Sequence, residues 1–125
     1  MKFGNRSESN LVGVHPHLVR VFRHAIVDSP IDFVITEGLR TKEKQAALVK
    51  AGASRTMNSR HLTGHAVDIA AWVDGQIRWD WPLYPRLASH IKASAIICKV
   101  PIEWGGDWRT LRDGPHYQLT WKDYP

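Results

Sequence analysis

The sequence predicts an α+β fold: a small, mainly antiparallel sheet flanked by helices. Three observations carry this. Extended runs rich in β-branched residues alternate with helical periodicities, but not in the regular strand–helix–strand order of a parallel sheet. Asp74-Gly75 between two apolar runs is a two-residue hairpin signal, which demands antiparallel neighbours. The chain has 125 residues, 43% of them hydrophobic, enough for one compact domain spanning 1–125 with a modest core.

In order along the chain, residues 7–29 read as one helix. Leu18, Val19, Phe22, Ala25 and Ile26 recur at three- and four-residue spacing, Pro16 suits a first turn, and Pro30 ends the run. Residues 31–36 form a strand, residues 37–40 a turn, and Thr41 caps a helix that runs to Ala51 and closes at Gly52. Residues 54–64 are polar and irregular. A strand over 66–72 leads through Asp74-Gly75 into a second at 76–79, and a helix follows over 84–99. Short extended pieces at 102–104 and 116–121 are separated by a loop rich in Gly and Asp. Trp72, Trp79 and Trp81 gather about the hairpin as core or rim, whereas Trp104 and Trp108 suit either core packing or contact with a substrate.

Composition excludes several classes. No stretch approaches the roughly 18 consecutive apolar residues that cross a bilayer, so the chain is not membrane-spanning. The first residues carry charge but no apolar segment, so no signal peptide is expected. Cys98 is the only cysteine, which rules out an internal disulfide and a multi-thiolate zinc site; it reads as plain core. The formal charge of +5 favours polyanionic surroundings, either nucleic acid or the anionic polymers of a cell envelope. The basic residues are dispersed and no nucleic-acid motif is present, so no specific nucleic-acid partner is expected.

The chemistry concentrates at Ser59-Arg60-His61-Leu62-Thr63-Gly64-His65-Ala66-Val67-Asp68. His61 and His65 stand four apart, as in the H-E-x-x-H zinc helix, but Leu62 occupies the glutamate position and Gly64 weakens a helix there. Pairing His61 with Asp68 is the better reading. On a strand from Ala66, the residues Ala66, Asp68 and Ala70 share one face, and Val67, Ile69 and Ala71 turn to the core. A buried Asp requires a partner, and a metal is one. A catalytic zinc site takes three protein ligands and leaves a position for water; His116, opening an extended run after Asp113-Gly114-Pro115, is the third candidate. Asp113 is placed to act on the water, with Glu103 as its competitor. His65 reads as a supporting or surface residue, and His15, His17, His24 and His90 as surface.

Ser59-x-His61-x-x-Gly64-x-Ala66-x-Asp68 resembles the S-x-H-x-x-G-x-A-x-D motif of D-alanyl-D-alanine (VanY-like) metallopeptidases, a group related to lysostaphin-type peptidases and the hedgehog domain. The segments at 35–41 with Gln45, 104–108 and 113–117, together with the opening Ser7-Glu8-x-Asn10-Leu11 and His15-Pro16-x-Leu18, resemble its phage endolysin branch, whose members cut between L-alanine and D-glutamate. The resemblance covers nearly the whole chain. It implies one Zn²⁺ held by His61, Asp68 and His116, with Asp113 as catalytic carboxylate where many relatives have the longer Glu. Arg40 would steady the substrate carbonyl or oxyanion, and Ser59 would support the site. It further implies a peptidoglycan stem peptide as substrate and synthesis in the host cytoplasm. A holin-type partner would release the enzyme, a monomer, to reach the wall from the periplasm. Some relatives are regulated by calcium, and Asp107 and Asp113 are the candidate Ca²⁺ ligands here. A D-alanyl-D-alanine carboxypeptidase and a non-catalytic zinc-containing wall-binding module are the competing functions.

Overall fold

The computed structural model describes residues 1–54 and 56–125; Arg55, within the stretch expected to be irregular, lies outside the described residues. The elements are α1 (Asn5–Leu11), α2 (Pro16–Val27), β1 (Phe33–Glu37), α3 (Lys42–Lys50), β2 (Ala66–Val73), β3 (Gln76–Arg78), α4 (Leu83–Cys98), β4 (Ile102–Trp104) and β5 (His116–Leu119), with 3₁₀ turns at Arg60–Thr63 and Gly105–Asp107. The sheet is five-stranded in the order β1-β2-β5-β4, with β3 paired to the far end of β2, and every pairing is antiparallel. The α+β expectation holds.

The alternation along β2 decides what each face does. Val67, Ile69 and Ala71 join a core with Leu18, Phe22 and Ile26 of α2 and with Leu87 and Ile91 of α4. Phe22 sits edge-on to Phe33 and to Tyr117, at ring separations of 6.2 and 5.6 Å, which ties helix, β1 and β5 together. Asp68 points the other way, beside His116, its partner across the β2–β5 register. Asp74 and Gly75 both have positive φ (52° and 78°), as a type I′ hairpin requires.

One expectation fails. Residues 7–29 are two helices, broken at Gly13, whose φ of +83° no helix accommodates. The break lets Val14 turn into the core and His15 cap α2, its Nδ1 accepting from the His17 N–H at 3.0 Å. Thr41 caps α3 as expected, accepting from the Lys44 N–H. Cys98 is half-buried against the core. Trp104 is buried and donates its indole N–H to the Gly114 carbonyl at 2.6 Å, while Trp72, Trp79 and Trp81 are exposed rim.

Candidate metal centre and groove

His61 lies in the 3₁₀ turn, where the Ser59 hydroxyl accepts from its N–H. Gly64, at φ +74°, ends the turn and delivers the chain into β2. This brings His61 Nε2 within 3.2 Å of Asp68 Oδ1, and β5 brings His116 Nδ1 within 3.0 Å of the same oxygen. One ligand atom from each residue lies within 4.8 Å of the other two, so the three form a group that can hold a metal ion. His65 does not join them: its Nδ1 bonds the Thr63 hydroxyl at 2.6 Å.

The far sides of both imidazoles explain why a cation fits. His61 Nδ1 lies 2.8 Å from the Gly38 carbonyl, which only accepts, so that nitrogen carries the proton and Nε2 offers a lone pair. For His116 the same result comes through a relay. Glu103 and Gln118 are cross-strand partners, and the Gln118 amide donates to the Glu103 carboxylate at 2.6 Å. That leaves the Gln118 carbonyl facing His116 Nε2 at 2.7 Å, so Nε2–H donates and Nδ1 is free. Two lone pairs and a carboxylate oxygen thus converge, an arrangement that only a cation or a proton satisfies. Carbonyl groups behind metal-binding imidazoles are the usual means of fixing their tautomer and orientation.

Charges follow from the same contacts. Burial opposes ionisation of Asp68, but the neighbouring imidazoles of His116 and His61 outweigh it and hold the carboxyl well below its ordinary range. Burial opposes protonation of His116, yet Asp68 beside it outweighs that and raises the imidazole above its ordinary value. Asp113 is pushed upward, by burial first and by the negative charge of Asp68 second.

Asp113 and Arg40 line the same groove, an open depression of about 890 Å³ that also includes Trp108, Arg112 and Trp121. Arg40 follows β1 and is held from two sides. Its guanidinium donates to Gln45 Oε1 at 2.7 Å and to Glu37, which also takes Lys44 at 2.5 Å. The remaining reach brings Nη2 to 4.0 Å from Asp68 Oδ2, and the buried Nε has no hydrogen-bond partner among the described residues. Gln45 is itself anchored, donating to Ser54 and to the Thr56 carbonyl. Trp108 stands 5.2 Å from the His116 ring, so it belongs to the groove. Asp107 pairs with Lys92 at 2.6 Å.

Residues 1–120 match the sequence profile of a family described as phage L-alanyl-D-glutamate peptidase. The chain belongs to that family. The L-alanyl-D-glutamate peptidase of Listeria phage A118 is 43% identical over 94 residues, 75% of this chain and 32% of the relative, so the chain spans about a third of that protein's length. The peptidase of the same name from Escherichia phage T5 is 33% identical over 116 residues, covering 90% of this chain and 85% of the relative. The crystal structure of the Serratia marcescens L-Ala D-Glu endopeptidase ChiX superimposes with a TM-score of 0.94 at 50% identity, covering 100% of this chain and 94% of that one.

Sequence reasoning on this phage peptidase fold missed two supports. Gln118 is legible in hindsight, because it stands two residues from His116 on the same strand and therefore on the same face. Arg60 had no signal. It is only 4% exposed, yet its guanidinium donates to the carbonyls of Leu119, at 3.1 Å, and Tyr124, at 2.6 Å, and stacks on Trp121 at 3.9 Å. Glu103, the competitor to Asp113, stands behind His116 as the last member of the relay.

Proposed function

We propose that the chain is a zinc-dependent peptidase that hydrolyses the L-alanyl-D-glutamate bond of peptidoglycan stem peptides, as a phage endolysin acting in host-cell lysis. The observation that carries this reading is the meeting, in one open groove, of a two-histidine, one-carboxylate donor set with a separate carboxylate, Asp113, and a cation, Arg40. Two imidazoles and a carboxylate are a donor set that suits zinc and leaves a fourth position open.

A zinc ion held there would polarise the scissile carbonyl and lower the pKa of water to about 7. Asp113 takes the proton of the attacking water and passes it to the departing amine of D-glutamate. Its raised affinity for a proton suits this double duty, because a carboxylate at its ordinary value holds a proton too weakly to deliver it. Arg40 sets a fixed positive charge toward the oxygen that becomes negative, and its anchors, Gln45 and Glu37, spare it reorganisation during the reaction. His61 and His116 keep their proton-bearing nitrogens on Gly38 and Gln118 throughout. The setting that fits is synthesis in the host cytoplasm, release by a holin-type partner and action as a monomer on the wall.

The test is digestion of purified peptidoglycan, with mass spectrometry of the newly exposed amines. D-glutamate N-termini that appear with zinc and vanish with a chelator are expected. Release of free D-alanine instead would establish the carboxypeptidase. In Asp113→Ala, zinc should remain bound while cleavage collapses; retained zinc with full cleavage would remove Asp113 from its role.

A further inference from the structure

β3 and β5 lie along the same edge of β2. Asp68 pairs with Glu37 of β1 on one side and His116 of β5 on the other, and Ala71 likewise pairs with Phe33 and with Arg78 of β3. Residues 113–115 fill the space between β5 and β3, where the Ile69 N–H donates to the Pro115 carbonyl at 3.0 Å. The chain leaving β3 therefore flanks the loop that carries Asp113. The contact is direct, because a Cβ on Gly114 would lie 2.9 Å from the Trp81 ring.

That stretch carries two indoles seated on one side only. Trp81 stacks on Trp104 (5.9 Å, 18° between planes) and Trp79 stacks on Tyr84 (6.1 Å, 8°). Trp104 and Tyr84 are buried, whereas Trp79 and Trp81 keep 59% and 46% of their surface in solvent. Each seated ring keeps an outer surface in water. Between them in sequence, Asp80 holds a two-point ion pair with Arg78 at 3.0 and 2.9 Å, beside a depression of about 340 Å³ that both residues line. Apolar plates with planar polar groups at their rim suit a pyranose ring: its axial C–H bonds pack on the indole, and its hydroxyl and acetamide groups bond the carboxylate and guanidinium.

The substrate's covalent structure supplies the occupant. The L-alanine of a stem peptide is joined through a lactyl group to an N-acetylated amino sugar. When its carbonyl lies beside Asp113, that sugar is only one residue and one lactyl unit away, on the order of 7 Å. We propose that Trp79 and Trp81 form a glycan-stacking subsite that holds the N-acetylated amino sugar bearing the scissile peptide. This rests on the peptidase reading above.

Peptide-free glycan strands, stripped of stem peptides by an amidase, would be titrated into ¹⁵N-labelled protein while the six tryptophan indole N–H signals are followed. Shifts at Trp79 and Trp81, with at least a tenfold weaker dissociation constant in Trp79→Ala, are expected; Trp81→Phe keeps an aromatic plate against Gly114 and should weaken binding less. Absence of shifts in a chain that cleaves stem peptide overturns the subsite alone. So do shifts confined to Trp108 and Trp121, which would seat the sugar in the groove, and shifts that follow protein concentration, which would mean a second copy covers the plates. Glycan binding without cleavage supports the subsite and fails the peptidase reading.

Discussion

Asp113 carries its charge against local opposition, since burial and the neighbouring Asp68 both favour its neutral form. A carboxyl whose proton is held more tightly in the folded chain than in the unfolded one costs stability as pH rises through that window, and the full cost remains above it. In the metal-free protein at neutral pH, Asp113→Asn should therefore raise the midpoint of thermal unfolding by about 3 °C, while activity of the zinc-loaded enzyme falls by about 10²-fold or more. The gain should shrink once zinc is bound, because the cation offsets the repulsion from Asp68. Gln118 invites a different measurement. Gln118→Ala leaves His116 Nε2 without its carbonyl acceptor and Glu103 without its donor, so competition with a chelator should show zinc affinity reduced by about 10-fold to 100-fold. Unchanged affinity would mean that β5 alone fixes the ring.

At the scale of elements, the metal turn depends on backbone that only glycine supplies. A Cβ on Gly64 would stand 2.3 Å from the Gly13 carbonyl, in addition to the strain of φ +74°. Gly64→Ala should cost about 2–3 kcal/mol, read by denaturant unfolding, and zinc affinity should fall with it because His61 sits on the same turn. This element was only partly legible. The alternation in β2 announced which side Asp68 would take, because a two-residue period leaves no choice once one face is apolar. Leu62 and Gly64 turned the reading away from a His61–His65 pair, and the candidate metal group joins His61 to Asp68 and His116. The break between α1 and α2 was not readable from periodicity. Gly13 falls inside a run whose apolar spacing continues across it, and what fixes it in place is packing against Leu39 from a distant loop. The anchoring of Arg40 by Gln45 and Glu37 likewise depends on how α3 returns to β1, which local pattern does not encode.

Across the whole molecule, the sheet separates two tasks. One face is filled by α2 and α4 and supplies the stability; the other presents Asp68, His116 and Gln118 to the groove, so the residues that face the candidate metal group alternate with residues that hold the fold. The final stretch of chain joins these tasks through Arg60. This guanidinium clasps the Tyr124 carbonyl and stacks on Trp121, and it neighbours His61 in sequence. The tail is thus a strap buckled to the metal turn. Trimming the chain after Trp121 should lower zinc affinity and thermal stability together, where a loose end would change neither. Damage confined to residues 122–125 would loosen the turn that carries His61 without altering a single residue of the groove, so the site could be lost from a distance.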